Sequence, residues 1–456
     1  MDIEKSRLGK VLSYNFIKIS LTLITGTLSP ILIIKDNGLE GFGIFSLASA
    51  SAYIFFQIFE FGLSSSFLRE GSKVLYEASG KVFHSTLVLR SISAFTASIA
   101  IYLFSELNFF NFSIEVNNLL KIYSFFTVFY ILNPFLSQSA LSLKMVKIPV
   151  LGEMVSKLTY LLGIVLFSSS KKLELDTFVY IISVSGALYS VILLFGILKL
   201  FPFKVANIEI YSTYKNLKNS YKYYLNSLLI LFYGRVDVII ISKITSSKEL
   251  GLYTLGYRVT EIISEIGFNA ITYYFRELIE KGRNFLAHSI KIVLNIIYFL
   301  ISLGLIFGFN IAKYLNYDQA KFTKILSVFA LAGVFMLLNQ LSQFILISES
   351  KPFHISVAII PSIITEMILV YQLGIRYGST GASLGLLVSE ILFFIALAKF
   401  TKINKYNFYN YLTIPLVVSL ALILTNSFNV SVALFIIVII GLIIKINNIR
   451  KGKLNV

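Results

Sequence analysis

The sequence predicts an all-α integral membrane protein with about 14 transmembrane helices, on the basis of its composition and the length of its apolar runs. Of the 456 residues, 56% are hydrophobic and only 14% are charged, and the mean hydropathy is +0.80. Soluble domains carry about 25% charged residues. The apolar runs are roughly 20 residues long, which is enough to cross a ~30 Å hydrocarbon core as helices. Lipid is therefore the expected solvent for most of the chain.

The apolar runs place the helices along the whole chain. We predict them at 11–34, 41–63, 83–105, 119–143, 148–168, 177–200, 220–243, 251–275, 286–312, 322–347, 354–376, 381–400, 410–428 and 429–447. The last two are separated only by a soft break at Asn426-Ser427, so thirteen helices remain an alternative.

The distribution of positive charge predicts the topology. The net charge is +17, and when the N-terminus is placed in the cytoplasm, most of the 40 basic residues fall in cytoplasmic segments. This bias is the positive-inside rule, and it favours an even helix number with both termini cytoplasmic. The rule accounts for the basic charge without a nucleic-acid partner, and none is expected.

Two weak sequence similarities indicate that the halves of the chain are related. Asn15 and Gly41 have counterparts in Asn226 and Gly251, and a later Leu-Ser-Gln triplet at 136–138 recurs at 341–343, at offsets of about 205 to 211 residues. Such repeats build many transporters. We predict an N-terminal six-helix lobe at 1–200, a cytoplasmic linker at 201–219, a C-terminal six-helix lobe at 220–405, and a helix pair with a basic tail at 406–456. The two lobes are expected to be related by an axis along the membrane normal.

The residue inventory argues against metal and cofactor chemistry. Cysteine is absent, and the three histidines, His84, His288 and His354, are far apart. We therefore expect neither a metal site nor a disulfide. The chain also has no phosphate-binding loop of the Gly-x-x-x-x-Gly-Lys-Ser/Thr type, so ATP hydrolysis and a bound cofactor are not expected.

Positively charged residues within predicted helices are the first candidates for function, because each is costly against lipid. Arg90 and Lys291 lie about two turns from cytoplasmic helix ends, from which they could extend to the headgroups. Arg258 could pair with Glu261 three residues later. A role in a water-filled cavity is the stronger interpretation for Arg235, and for Lys18, which has no acid three or four residues away. The candidate substrate-binding residues are Lys18, Arg90, Arg235, Arg258 and Lys291.

Acidic residues at similar depth are candidates for ion coupling. Asp237 follows Arg235 by two residues and points to a different helix face. Glu366 and Glu390 occupy the middles of late helices, where each is either a protonatable coupling group or a neutral acid hydrogen-bonded between helices. Glu60 is the fourth candidate for ion coupling. Because positive charges outnumber negative ones in this set, an anionic substrate is favoured over a cationic one.

Three stretches resemble polysaccharide flippases of the Wzx type. One runs from Gly234-Arg235-Val236-Asp237 to Ser246-Ser247-Lys248-Glu249-Leu250-Gly251-Leu252-Tyr253. The second runs from Gly38-Leu39-Glu40-Gly41-Phe42-Gly43-Ile44 through Phe61-Gly62-Leu63 to Arg69. The third is Tyr377-Gly378-Ser379-Thr380-Gly381-Ala382-Ser383. The chain departs from that family's pattern at Gly38-Leu39, usually Leu-Gly, and at Glu60, usually aspartate.

The resemblance implies a flippase of the multidrug/oligosaccharidyl-lipid/polysaccharide exporter superfamily. Such a protein moves undecaprenyl-pyrophosphate-linked oligosaccharide repeat units from the cytoplasmic to the outer leaflet of the bacterial inner membrane by alternating access. The substrate and the membrane lipids are then its partners, as are a polymerase and glycosyltransferases of O-antigen, lipopolysaccharide or capsule assembly. Arginine and lysine would hold the pyrophosphate by charge-assisted hydrogen bonds.

Two other functions remain as alternatives. A cation-coupled multidrug exporter of the same fold would use Asp237, Glu366 or Glu390 at the cavity surface. A membrane polysaccharide polymerase or ligase is less favoured, because the longest external stretch, 105–118, offers only two acids, Glu106 and Glu115, for catalysis. We therefore predict a transporter and not an enzyme.

Overall fold

A computed structural model of the chain is entirely α-helical in the part that it describes. The described residues are 2–62, 76–142, 145, 147–170, 173–199, 210–258, 260–261, 264, 319–349, 351 and 353–401. Of these, only the backbone is described at 2–20, 22–23, 76–82, 141–142, 169–170, 210–223, 319–320 and 348. The predicted helices 286–312, 410–428 and 429–447 lie outside the described residues.

The described helices agree with the apolar runs. They are α1 (Asp2–Ile58), α2 (Tyr76–Leu107), α3 (Ile114–Ser142), α4 (Lys147–Ser170), α5 (Leu175–Leu198), α6 (Ile210–Ile244), α7 (from residue 247, described as far as 264), α8 (Gln319–Ser348) and α9 (Phe353–Thr401). Within these ranges, seven segments have the length and apolar composition of membrane spans. The predicted all-α, multi-pass membrane fold is confirmed.

Two of the predicted helix breaks lie inside continuous helical segments. α1 covers the predicted helices 11–34 and 41–63, and its backbone departs from helical geometry at Gly38, with φ 71°. α9 likewise covers 354–376 and 381–400 and breaks at Gly378, with φ 62°. Only glycine adopts this left-handed conformation at little cost. Each glycine therefore allows the chain to turn back across the membrane without an intervening loop.

The exposure pattern of α2 is that of a helix in lipid. Small or apolar residues such as Ala94, Ala97 and Ile101 are fully buried, while Phe95 and Ile99 are each 61% exposed. A water-soluble protein rarely exposes such a stripe of large apolar side chains. Small residues on the inner face allow the close helix approach that is typical of membrane proteins.

The chain divides into two compact units, Met1–Ile239 and Ile240–Val456. In the first unit, α2, α3 and α5 meet in a core cluster that includes Phe83, Phe135, Leu136 and Leu193. The predicted linker at 201–219 is helical from Ile210 onward, because α6 begins there. α6 therefore continues from this segment as one long helix that carries Arg235 and Asp237.

Corresponding hydrogen bonds occur in the two units and support the predicted duplication. In the first unit, the hydroxyl groups of Ser49 on α1 and Tyr123 on α3 are 2.8 Å apart. In the second, the hydroxyl of Thr260 on α7 donates to the carbonyl of Phe329 on α8 at 2.8 Å. Thr260 lies 211 residues after Ser49, and Phe329 lies 206 residues after Tyr123, so both lie within the range of the repeat offsets.

An asparagine bridge recurs in the same way. Asn133 on α3 donates through Nδ2 to the carbonyl of Gly186 on α5 at 3.2 Å. Asn339 on α8 donates through Nδ2 to the carbonyl of Glu390 on α9 at 3.1 Å. An amide-to-carbonyl bridge in lipid satisfies groups that would otherwise be costly to bury. Its recurrence indicates that each unit is held by the same set of interhelical contacts.

The two arms of α9 approach each other closely at Gly385. A Cβ atom built at this glycine would lie 2.7 Å from the nitrogen of Val370 and 2.9 Å from the carbonyl carbon of Leu369. Both are backbone atoms, so neither can rotate away as the end of a side chain could. At Gly186, by contrast, the nearest atom would lie 3.8 Å away, on Tyr130.

Substituting Gly385 by alanine is therefore expected to destabilise the protein, by about 1–3 kcal/mol as in other overpacked cores. The matched change Gly186→Ala should have little effect, since the added methyl group meets only ordinary contacts. Thermal unfolding of the two detergent-purified variants tests the difference. Equal melting temperatures would contradict the close approach of the two arms.

Candidate functional site

Arg90 and Glu60, two of the predicted site residues, form a buried ion pair. Arg90 NH2 lies 2.8 Å from Glu60 Oε1, and the Arg90 side chain is fully buried. Arg90 NH1 also donates to the carbonyl of Glu60 at 2.7 Å. Arg90 thus lies inside the protein and does not extend to the headgroups, and it is neutralised by the acid that was predicted as a coupling group. A direct role for either residue in transport stays a prediction.

The same region forms the end of α1. After Ile58 the chain enters a tight turn in which Phe61 and Gly62 have φ values of 51° and 66°. Glu60 Oε2 accepts a hydrogen bond from the Gly62 amide at 2.7 Å. The Tyr224 hydroxyl on α6 donates to the carbonyl of Ile58 at 2.6 Å. Since the last carbonyls of a helix have no intrahelical donor, Arg90 and Tyr224 satisfy groups that lipid could not.

Arg235, the strongest sequence candidate, faces an aromatic residue of another helix. Its guanidinium carbon lies 5.4 Å from the ring centroid of Tyr53 on α1, a cation–π distance. The Tyr53 hydroxyl accepts a hydrogen bond from Gln57 Nε2 at 3.1 Å. Tyr53 is 42% exposed, and Arg235 is half-buried. The assignment of Arg235 to substrate binding stays a prediction.

Asp237 differs from Arg235 in its surroundings, as its position on another face of α6 predicts. It is fully buried, and its Oδ1 accepts a hydrogen bond from the Val238 amide at 2.8 Å. Its assignment to ion coupling stays a prediction.

In the second unit, Glu249 connects two of the stretches that carry the family resemblance. Its carboxylate forms an ion pair with Lys321 on α8. It also accepts hydrogen bonds from the Ser379 amide at 3.0 Å and the Ser379 hydroxyl at 2.6 Å, beside the break at Gly378. A Cβ atom at Gly378 would lie 2.8 Å from Glu249 Oε2. Glycine is therefore favoured at this turn for its φ, and an added Cβ would also displace the Glu249 carboxylate.

The first unit closes the corresponding turns in a similar way. Asp36 Oδ2 accepts from the Leu173 amide at 3.2 Å, and Asn37 Nδ2 donates to the Leu173 carbonyl at 2.7 Å. In the first unit the side chains of Asp36 and Asn37 thus hold the backbone before α5, and in the second unit Glu249 holds the backbone before the second arm of α9. This is the third contact that the halves share.

Glu366 and Glu390 are both almost completely buried, at 0% and 1% exposure. Glu390 Oε2 accepts a hydrogen bond from Asn339 Nδ2 at 2.7 Å. This is the interhelical hydrogen bond that one of the two sequence interpretations of Glu390 requires. Coupling roles for both acids stay predictions.

Arg258 forms the predicted ion pair with Glu261, with NH1 and Oε2 2.7 Å apart. Its side chain is 40% exposed, so the pair lies at a surface of the second unit. Lys18 lies on α1, but its side chain is outside the described residues, as is Lys291 entirely. Within the described ranges, no group of three or more His, Asp or Glu side chains could hold a metal ion.

Sequence reasoning missed Tyr53, Tyr224 and the partners of Glu249. A signal for the two tyrosines was present, because Tyr224 and Arg235 are three helical turns apart and therefore share one face of α6. Tyr53, Gln57 and Phe61 are likewise spaced one turn apart. Which side chain on another helix would meet these faces could not be read from spacing.

Together, the helix pattern and the duplicated contacts define a repeat-built, multi-pass membrane protein with charged residues at membrane depth. The solved structures with similar folds agree. A lipid II flippase MurJ in an inward-closed conformation has a TM-score of 0.71 at 17% identity, over 93% of this chain and 96% of that chain. An inward-facing multidrug resistance MATE family transporter of the MOP superfamily has 0.64 at 13%, over 85% and 98%.

A MOP superfamily transporter from Pyrococcus furiosus, described as having a binding pocket of reverse polarity, has a TM-score of 0.61 at 13% identity, over 85% of this chain and 92% of that chain. The chain belongs to the polysaccharide biosynthesis protein family, whose sequence profile matches residues 38–275. It shares its fold with these transport proteins. No curated protein matches the chain.

Removing one member of the buried ion pair should be costly. Arg90→Leu leaves Glu60 buried without its guanidinium partner, and we expect a loss of about 3–5 kcal/mol of stability. The double variant Arg90→Leu/Glu60→Gln should recover part of this loss, because the uncompensated charge is gone. Melting temperature and yield in the membrane fraction measure both effects.

The control for this experiment is the exposed ion pair between Lys121 and Glu106, whose side chains are 37% and 45% exposed. Lys121→Leu should change the melting temperature little, because water screens such pairs. An Arg90→Leu protein as stable as Lys121→Leu would contradict the structural role of the buried pair.

The ionisation of Glu249 is expected to make the stability of the protein depend on pH. Partial burial alone would raise the pKa of Glu249, but hydrogen bonds from Lys321 and Ser379 outweigh burial and lower the pKa below its ordinary value of 4.5. A lowered pKa means that the ionised form stabilises the fold above that value and that this contribution is lost as the pH falls through the folded-state pKa.

The variant Glu249→Gln should therefore melt at a lower temperature than the wild type at pH 7, and the difference should shrink as the pH falls below about 4.5. Glu40→Gln, at an exposed acid, serves as the control and should match the wild type throughout. A difference that stays constant with pH would show that the charge of Glu249 does not contribute.

Proposed function

We propose that the protein is a flippase for undecaprenyl-pyrophosphate-linked oligosaccharide repeat units. In this proposal it moves them from the cytoplasmic to the outer leaflet of a bacterial inner membrane by alternating access, with both of its termini in the cytoplasm. Family membership and the fold that the chain shares with a lipid II flippase support a lipid-linked substrate. Glycosyltransferases would supply this substrate, and a polymerase of O-antigen, lipopolysaccharide or capsule synthesis would use it.

The observation that carries the proposal is that the contacts holding each unit are duplicated, whereas key charges are not. At the repeat offset, Arg235 corresponds to Ile24, Asp237 to Gly26, and Lys18 to Leu229. A charge required by the repeat fold itself would be expected in both halves. These charges are therefore best explained by a function that the two halves do not share.

The chemistry of Arg235 suits a pyrophosphate. A guanidinium presents several N–H donors in one plane and binds phosphate oxygens in pairs. In lipid, an arginine at the centre of a helix costs about 2.5–3.5 kcal/mol or more. Arg235 with Lys18 is thus proposed as the principal anion-binding group, and Lys291 as a further one. Arg90 and Arg258, each paired with an acid, are proposed as secondary contacts.

Complementation tests the proposal. Deletion of the gene should abolish surface polysaccharide and cause lipid-linked repeat units to accumulate. Wild-type protein should restore the polymer, while Arg235→Leu should restore little of it, because the loss of charge-assisted bonds to a phosphate costs about 1.5–3 kcal/mol each. Lys243→Leu, at an exposed lysine of the same helix, is the matched control and should complement fully.

Immunoblots of the membrane fraction establish equal amounts of each protein. Full complementation by both Arg235→Leu and Lys18→Leu would contradict the assignment of these residues. Unchanged surface polysaccharide and no lipid-linked intermediate in the deletion strain would contradict the function itself.

One alternative has a specific observation in its favour. The chain also shares its fold with multidrug resistance transporters, and its described residues include the buried acids Asp237, Glu366 and Glu390. A cation-coupled drug exporter would use such acids to exchange protons or sodium for a cationic substrate. Expression in a dye-sensitive strain distinguishes the two, because only the exporter confers resistance that is lost in Glu390→Gln.

A further inference from the structure

The contact between Tyr53 and Arg235 lies near the end of α1, where several side chains connect α1 to α6. In the turn just after α1, the ring of Phe61 lies 5.6 Å from that of Tyr224, and Tyr224 donates to the Ile58 carbonyl. Arg235 lies three turns beyond Tyr224 on α6, opposite Tyr53. These contacts join the end of α1 to α6 beside the Tyr53–Arg235 pair. The position of Arg235 relative to Tyr53 is therefore determined by more than the pair itself.

The environment of the pair is polar. Gln57 hydrogen-bonds the Tyr53 hydroxyl, and Tyr53 remains 42% exposed. A tyrosine on a membrane helix that bears a guanidinium on its ring and an amide on its hydroxyl is unsuited to face lipid, because both polar groups would be desolvated. The exposed side of the pair therefore faces a hydrated volume or the headgroup region.

The geometry of a cation–π contact is compatible with anion binding by the same arginine. The aromatic ring interacts with the flat face of the guanidinium, whereas a phosphate binds along its edge through the N–H groups. The two contacts use different directions and can be made at the same time. Stacking on Tyr53 also removes rotational freedom from the long arginine side chain, so less entropy is lost when an anion binds.

We infer that Tyr53 is a positioning residue for Arg235, which it orients so that the guanidinium edge meets the diphosphate of a lipid-linked substrate. The inference rests on the proposed function, because it takes Arg235 as the diphosphate-binding group. Tyr53 itself acts through Arg235 and makes no required contact with the diphosphate.

The test uses the full-length protein in lipid nanodiscs, titrated with undecaprenyl pyrophosphate. Arg235→Leu should weaken binding at least tenfold. Tyr53→Leu removes the ring and should weaken binding about 2- to 30-fold, the range of measured cation–π contributions. Tyr53→Phe keeps the ring and should bind within about twofold of the wild type. In the Arg235→Leu background, Tyr53→Leu should have no further effect.

A second measurement keeps the test valid if Tyr53→Leu does not fold. Phenylalanine analogues with one, two or three ring fluorines can be incorporated at position 53 with little change in shape. Each fluorine weakens the negative potential of the ring face, so affinity for undecaprenyl pyrophosphate should fall stepwise while the melting temperature changes little. A ring that only fills space would show no such series.

Results that contradict the role of Tyr53 can be distinguished from results that contradict the proposed function. Wild-type affinity in Arg235→Leu would remove Arg235 from the substrate site and thereby contradict the site assignment of the proposed function. Reduced affinity in Arg235→Leu together with wild-type affinity in Tyr53→Leu, or a flat fluorination series, would leave the proposed function intact and overturn the role of Tyr53. An equal loss from Tyr53→Leu with and without Arg235 would also overturn it, because Tyr53 would then act independently.

Discussion

The structure depends on one constraint: a polar group within the membrane must find its partner inside the protein. Backbone groups meet this requirement in helices, and hydroxyls such as those of Thr25 and Thr127 donate back to the carbonyl four residues earlier. Backbone groups where helices end or turn lack such partners within their own helix. At the end of α1, Arg90 and Tyr224 supply the donors that water would supply in a soluble protein. At the break in α9, Glu249 accepts from the backbone of Ser379.

Because these requirements are the same in both halves, both halves meet them in the same way. Asp36 and Asn37 hold the backbone before α5 in the first unit, and Glu249 holds the break within α9 in the second. An asparagine also bridges two helices in each unit. The halves differ at the asparagine bridge: the residue whose carbonyl accepts the hydrogen bond is Gly186 in the first unit and Glu390 in the second. The backbone carbonyl accepts the same bond, but an acid has been added to a contact that does not need it. Such departures from internal symmetry, and not the buried polar groups as a class, are where function is to be sought.

Sequence patterns predicted the helices well because their length and hydropathy are set by the bilayer, which acts on each segment separately. The breaks at Gly38 and Gly378 followed from the same reasoning. The partners of the charged residues were not accessible in this way, except for Arg258 and Glu261, which lie on one helix face. Arg90 and Glu60 are on different helices, as are Arg235 and Tyr53, and Glu249 is far along the chain from Ser379. Such pairs depend on how helices pack, and a single sequence contains no direct measure of that packing.

The contrast between Arg90 and Arg235 shows how one residue type serves two purposes. Arg90 has its guanidinium edge engaged by Glu60 and by backbone carbonyls, so a phosphate could bind there only by breaking a buried ion pair, at a cost of several kcal/mol. Arg235 lies with its guanidinium carbon 5.4 Å from the Tyr53 ring centroid, at a partly exposed position. A ring contact with the face of a guanidinium need not be broken when an anion binds along the guanidinium edge. The cation–π contact is also weak, so it does not oppose release of the anion. A transporter must bind its substrate and then release it. An arginine oriented by an aromatic ring suits this task better than one held in a buried ion pair.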